Sequence, residues 1–164
     1  MNRYAAVRTD NMMGTRVGTH LVSLRYESEI ENGNVLMIGA LEEDSREVRE
    51  ASVPGVATPL RDLALIASVE MIKDRRDNQY DISEFINLPE TTLRGYRFAQ
   101  HDIFSVTPEA LNPASADPEV GQFAFINGST QIQLGAAASG TTIGRVIAVE
   151  TESNDQQWIV IQVQ

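Results

Sequence analysis

Apolar and polar positions alternate most cleanly near the end of the chain. Residues 143–150 and 157–163 form two alternating runs around Ser153-Asn154-Asp155. In the second run Trp158 and Val160 fall on one side, and Ile159, Ile161 and Val163 on the other. A period of two is the signature of a strand, so these runs predict a hairpin. A second hairpin is predicted from Phe123-Ala124-Phe125-Ile126, the turn pair Asn127-Gly128, and Thr130-Gln131-Ile132-Gln133-Leu134, because Asn-Gly supplies the positive φ values of tight turns.

Upstream, Arg94-Gly95-Tyr96-Arg97-Phe98 alternates, and Ile103-Phe104-Ser105-Val106 follows the predicted turn His101-Asp102. Leu63-Ala64-Leu65-Ile66-Ala67 is too short for an independent helix and predicts a buried strand. Glu31-Asn32-Gly33-Asn34 predicts a turn into the strand Val35-Leu36-Met37-Ile38, closed by Gly39. Residues 21–26 alternate loosely and predict a first strand. Residues 41–50 fit either a short helix or an exposed strand from Arg46 to Ala51. Ile82, Phe85 and Ile86 fit one helical turn, and Thr107-Pro108-Glu109 has the cap, proline and acid of a helix start. Residues 9–18 are polar and carry no stripe, which predicts an extended arm or loop.

Short strands at this spacing predict a mainly β fold, a small β-barrel or sandwich built from hairpins. One or two short helices and an extended N-terminal arm complete it. The domain reading is an arm over residues 1–25 and a single β-rich domain over residues 26–164.

Charge divides along the same boundary. Of 164 residues, 13 are Lys or Arg and 23 are Asp or Glu, a formal net charge of −10. Residues 1–25 carry Arg3, Arg8, Arg16 and Arg25 against one acid, Asp10, for +3, which leaves −13 on the remainder. An arm of this kind either lies on its own acidic domain or reaches a partner's surface. The acid excess argues against nucleic acid and anionic membrane as general partners. Arginine is used twelve times and lysine once, at Lys73, a bias shared with protein interfaces.

Chemistry is sparsely marked. With no cysteine, disulfides, thiolate-ligated metals and thiol catalysis are excluded. His20 and His101 lie far apart in sequence, and adjacent His101 and Asp102 in a turn point apart. The acidic run Glu42-Glu43-Asp44 lacks the spacing of a calcium loop and fits a solvated loop or a patch facing the basic arm of another copy. Residues 135–144 lack the Gly-Lys-Ser/Thr ending of a phosphate loop. No catalytic residue, cofactor or metal is therefore expected. Residues 1–8 lack the apolar core of a signal peptide, and no run approaches the roughly 20 apolar residues of a spanning helix, which predicts cytoplasmic synthesis.

From about residue 31 onward the chain resembles the decoration, or head-cement, proteins of tailed bacteriophages. The likeness is carried by Glu31-Asn32-Gly33-Asn34-Val35-Leu36-Met37-Ile38-Gly39, by Arg46-Glu47-Val48-Arg49-Glu50-Ala51, and by Leu63-Ala64-Leu65-Ile66-Ala67 with Val69-Glu70-Met71. It continues in Arg94-Gly95-Tyr96-Arg97-Phe98, in Asp102-Ile103-Phe104-Ser105-Val106-Thr107, and in Ile143-Gly144-Arg145-Val146-Ile147 and Trp158-Ile159-Val160-Ile161. The resemblance implies a non-enzymatic virion protein, assembled in the host cytoplasm, that binds and stabilises the outer surface of an assembled capsid. Its expected partners are the major capsid protein lattice and other copies of itself. Arg3, Arg8, Arg16 and Arg25 are the expected docking residues, through charge-assisted hydrogen bonds to lattice carboxylates. A head-fibre-like module that binds host glycan or protein through loops near residues 72–93 or 135–142 is the alternative. A small β-barrel hydrolase is a third reading.

Overall fold

One strand explains the arrangement of the rest. In the computed structural model, which describes residues 4–70 and 82–164, every residue of Leu63–Ile66 is buried. Its alternate side chains serve two different cores. Ala64 and Ile66 join Val22, Leu24, Ile30, Leu36 and Leu93 in a smaller cluster. Leu63 and Leu65 join Val35, Tyr96 and the apolar residues of a second sheet in a larger one. A strand covered on both faces has no reason to alternate polar with apolar, which is why this segment reads as a continuous apolar run.

The strands in chain order are β1 (Val7–Asn11), β2 (Leu21–Arg25), β3 (Val35–Leu41), β4 (Val48–Ser52), β5 (Leu63–Ile66) and β6 (Thr92–Arg97), followed by β7 (Ile103–Val106), β8 (Phe123–Ile126), β9 (Gln133–Gly135), β10 (Thr141–Thr151) and β11 (Gln157–Val163). Five of them close a barrel in the order β2-β4-β3-β5-β6. Its pairs are antiparallel except β2 and β4, which run parallel. The other six form a sheet in the order β1-β7-β11-β10-β8-β9, with every pair antiparallel. The fold is thus mainly β, a small closed barrel packed on a second sheet. Among the described residues no helix is long and apolar enough to cross a membrane.

The barrel interior is full. A Cβ on Gly95 would lie 2.9 Å from Val22 Cγ1 and 3.0 Å from both Ala64 Cβ and Leu24 Cδ1, so only glycine fits there without displacing neighbours. In the second sheet, Gly144 is required for close approach: a Cβ would fall 1.9 Å from the Gln162 carbonyl oxygen.

The closing hairpin forms as expected, with β10 and β11 paired from Gly144↔Val163 to Thr151↔Gln157 around a bulge between Val146 and Ala148. Ile159, Ile161 and Val163 enter the larger core, and Trp158 and Val160 are buried on the other face. The β8–β9 hairpin also forms, but residues 127–132 connect it. Within that loop the Thr130 carbonyl accepts the Val35 N–H at 2.7 Å, which ties the loop to β3. Of the two readings for residues 41–50, the strand is correct. The turn at Glu31-Asn32-Gly33-Asn34 is present, with Gly33 at φ +88°, yet it joins no hairpin, because β2 pairs with β4 and β6 rather than β3.

Two expectations need correction. The short helices are single 3-10 turns, Ile82–Glu84 and Pro108–Ala110. Thr107 does not cap the second: its hydroxyl accepts the Ala6 N–H at 3.1 Å instead. The larger correction concerns the arm. Residues 4–25 are not extended away from a body over 26–164. β1 pairs with β7 through Val7↔Val106 and Arg8↔Ser105, and β2 is a barrel strand flanked on both sides. Ala5, Ala6, Met12, Val22 and Leu24 are buried. These scattered apolar residues suffice because backbone pairing, which leaves no compositional trace, supplies the rest of the attachment. Met1 to Arg3 lie outside the described residues, as do residues 71–81.

Candidate functional site

Folding of residues 4–25 into both sheets determines where their arginines go. Arg8, on β1, stacks its guanidinium carbon 3.8 Å from the centroid of the Trp158 ring and forms an ion pair with Glu152. Arg25, at the end of β2, places Nη1 3.0 Å from Glu42 Oε2. The basic segment therefore lies on its own acidic domain, and these two cations are engaged within the chain. Arg16 is exposed and lines a shallow hollow of about 470 Å³ with Met13 and His101. Arg3 lies outside the described residues.

His101 and Asp102 do not act as a pair. His101 adopts φ +72° in the turn. Asp102 is buried, its Oδ1 accepting the Met13 N–H at 2.8 Å and its Oδ2 the Ala99 N–H at 3.0 Å. Both oxygens of this carboxylate fasten the segment after β1 to the β6–β7 turn. Among the described residues no group of three or more His, Asp or Glu side chains is placed to hold a metal ion.

A concavity lies elsewhere. A cleft of about 1000 Å³ is bounded by β2 and the residues before it, by the start of β4, by β6, and by residues 68–69 and 84–88. Its walls are tied by one buried amide. Asn32 Nδ2 donates to the Ser68 carbonyl at 3.0 Å and to Glu70 Oε1 at 3.3 Å, while its Oδ1 accepts the Ser68 N–H and the Asn87 side-chain N–H at 3.0 and 3.1 Å. Asn87 also exchanges both backbone hydrogen bonds with Ile30. A buried polar network with every member satisfied holds one geometry, so the rims at Ser68 and Asn87 are fixed relative to each other.

Arg49, Arg94, Arg97, Glu47 and Glu84 are among the described residues that line this cleft. Arg49 Nη1 donates to the Gly39 carbonyl at 3.2 Å and Arg97 Nη1 to the Arg61 carbonyl at 3.4 Å. Arg94 is held through its backbone: its N–H donates to Ser68 Oγ at 3.1 Å, and its carbonyl accepts the Ala67 N–H at 2.9 Å. Its guanidinium has no hydrogen-bond or ion-pair partner among the described residues. Val69 and Leu88, 55% and 50% exposed, add apolar surface.

The alternative recognition loops were expected near residues 72–93 or 135–142, and residues 72–81 of the first lie outside the described residues. The cleft that residues 84–88 and 91–93 help to form also draws on residues 18–23, 47–49 and 94–97, segments joined by barrel closure. The site belongs to a barrel-and-sheet β protein with a polar–apolar surface cleft. No family model, curated protein or solved structure matches the chain.

Proposed function

We propose that this chain is a non-enzymatic virion protein that binds the outer surface of an assembled tailed-phage capsid and stabilises it. The observation that carries the reading is where the resemblance falls. Most of the segments that resemble the head-decoration family fall on β3 to β7, β10 and β11, while Glu31-Asn32-Gly33-Asn34 and Val69-Glu70 lie between strands and Met71 lies outside the described residues. The likeness is therefore carried mainly by the framework of the fold. A rigid body suits the task, since a cement protein contributes to shell stability only if it resists deformation itself. Two cores sharing β5 couple barrel and sheet.

Docking by residues 1–25 as a free arm is not part of the proposal, because Arg8 and Arg25 are engaged within the chain. The partners are the capsid lattice and neighbouring copies. Many weak contacts repeated over a lattice count collectively when copies also touch one another.

The test is co-sedimentation with assembled heads and, separately, with free capsid subunits. Saturable binding to heads alone is expected. Equal binding to both, or to neither, contradicts the reading.

A further inference from the structure

We propose that Asn127 is a site of spontaneous deamidation, which converts it to aspartate and isoaspartate through a cyclic imide while the same dipeptide at Asn32-Gly33 stays intact. The inference goes beyond the capsid reading and does not depend on it.

Sequence narrows the candidates to two. Of nine asparagines, Asn32 and Asn127 alone precede glycine. The following residue matters because its backbone nitrogen is the attacking group, and glycine has no Cβ to crowd the approach. The fold then separates the two sites. Asn32 is 1% exposed, and its side-chain amide is hydrogen-bonded to Ser68, Glu70 and Asn87. The Gly33 N–H donates to the Ile66 carbonyl at 2.8 Å. Both reacting groups are held, so reaction there needs local opening first.

Asn127 and Gly128 are exposed. The Asn127 amide makes one contact, Nδ2 donating to Ser139 Oγ at 3.3 Å on the surface. The Gly128 N–H has no hydrogen-bond partner among the described residues. No backbone hydrogen bond joins any two of residues 127–131. The nitrogen and the amide carbon it attacks are thus both open to water, and no ladder bond must break before they meet.

The reaction needs only water. The Gly128 nitrogen gives its proton to hydroxide and bonds to Asn127 Cγ. The Cγ–Nδ2 bond breaks, and ammonia leaves with a proton taken from water. Water then opens the imide. Cleavage between the Gly128 nitrogen and Cγ gives aspartate. Cleavage between that nitrogen and the backbone carbonyl carbon gives isoaspartate, whose main chain runs through Cγ. Nothing is oxidised or reduced. Either product adds one negative charge to a chain of −10. Isoaspartate also lengthens the main chain just before Thr130, whose carbonyl ties this loop to β3 of the barrel.

The test is incubation of the full chain, native and in urea, in mildly alkaline buffer. Proteolysis and fragmentation mass spectrometry then assign conversion at each asparagine, and methyl transfer by a protein-isoaspartate methyltransferase reports isoaspartate. In the native chain Asn127 should convert at least about tenfold faster than Asn32, which waits for opening. In urea the two should convert at similar rates. Conversion of Asn127 should accelerate with rising pH, because the attacking nitrogen must lose its proton. Asn127→Gln should remove most of the native chain's methylation and leave its circular dichroism unchanged. Native conversion of Asn32 as fast as that of Asn127 overturns the inference. So does conversion of the exposed Asn154 ahead of Asn127, or an intact Asn127 in native chains after the urea-unfolded chain has converted.

Discussion

Deleting residues 1–25 should unfold the protein rather than trim it. The deletion removes β2, which pairs with β6 over five positions from Leu21↔Tyr96 to Arg25↔Thr92 and with β4 over three. It also removes the Met12, Val22 and Leu24 side chains, which are 1%, 7% and 0% exposed. Burial of each such side chain contributes about 1.5–3 kcal/mol, so the apolar loss alone is about 5–9 kcal/mol. A domain of this size has a total stability of about 5–15 kcal/mol. Opening the barrel adds to the loss by leaving the facing edges of β4 and β6 unpaired. Urea titration of residues 26–164 beside the full chain, followed by far-ultraviolet circular dichroism, checks this. The truncated chain should show no cooperative transition. A sigmoidal transition at the full chain's midpoint would refute the integration of residues 4–25 into the body. Loss of head binding after such a truncation would report unfolding, so docking is better tested with point substitutions.

Other consequences follow from single contacts. Gly95→Val should lower stability by about 1–3 kcal/mol through overpacking of the barrel interior; an unchanged melting temperature would show that the interior has room. Asn32→Ala removes the acceptor of the Ser68 N–H and one of the two acceptors of the buried Asn87 side-chain amide and should cost about 1–3 kcal/mol, with faster amide exchange at Ser68 as its local sign. Asp102→Ala strips the Met13 and Ala99 amides of their carboxylate and should cost a similar amount, about 1–3 kcal/mol, read as a lower urea midpoint. A double-mutant cycle between Arg8→Ala and Trp158→Phe should give a coupling of about 0.5–1 kcal/mol for stacking at a partly exposed site; a coupling of zero would mean that the two side chains are neighbours without energetic contact.

How much of this was legible depended on whether the signal was local. The β10–β11 hairpin was, because its alternation and its Ser153-Asn154-Asp155 turn both lie within 23 consecutive residues. β5 was legible as a buried strand because burial on both faces leaves no polar position in it. β4 was ambiguous because Arg49 and Glu50 obscure its pattern, and what makes it a strand is pairing with β3 and β2. The N-terminal segment was misread for the same reason in stronger form. β1 has one apolar residue, Val7, and is held by β7, nearly 100 residues away. The parallel β2–β4 pair has no local signature at all. Arg8 and Arg25 were expected as docking residues of an arm that either lies on its own acidic domain or reaches a partner, and only the fold reveals that they pair with the chain's own Glu152 and Glu42. The cleft escaped sequence reading because its residues converge only when the barrel closes.

With residues 4–25 folded into the body, the proposed capsid contact falls to the outer surfaces of the barrel and sheet. The most direct measurement is electron imaging of heads incubated with the full chain, averaged on the lattice. Capsid decoration predicts added density at a regular set of sites on the outer shell. Heads indistinguishable from untreated ones, or density confined to the tail, would contradict it.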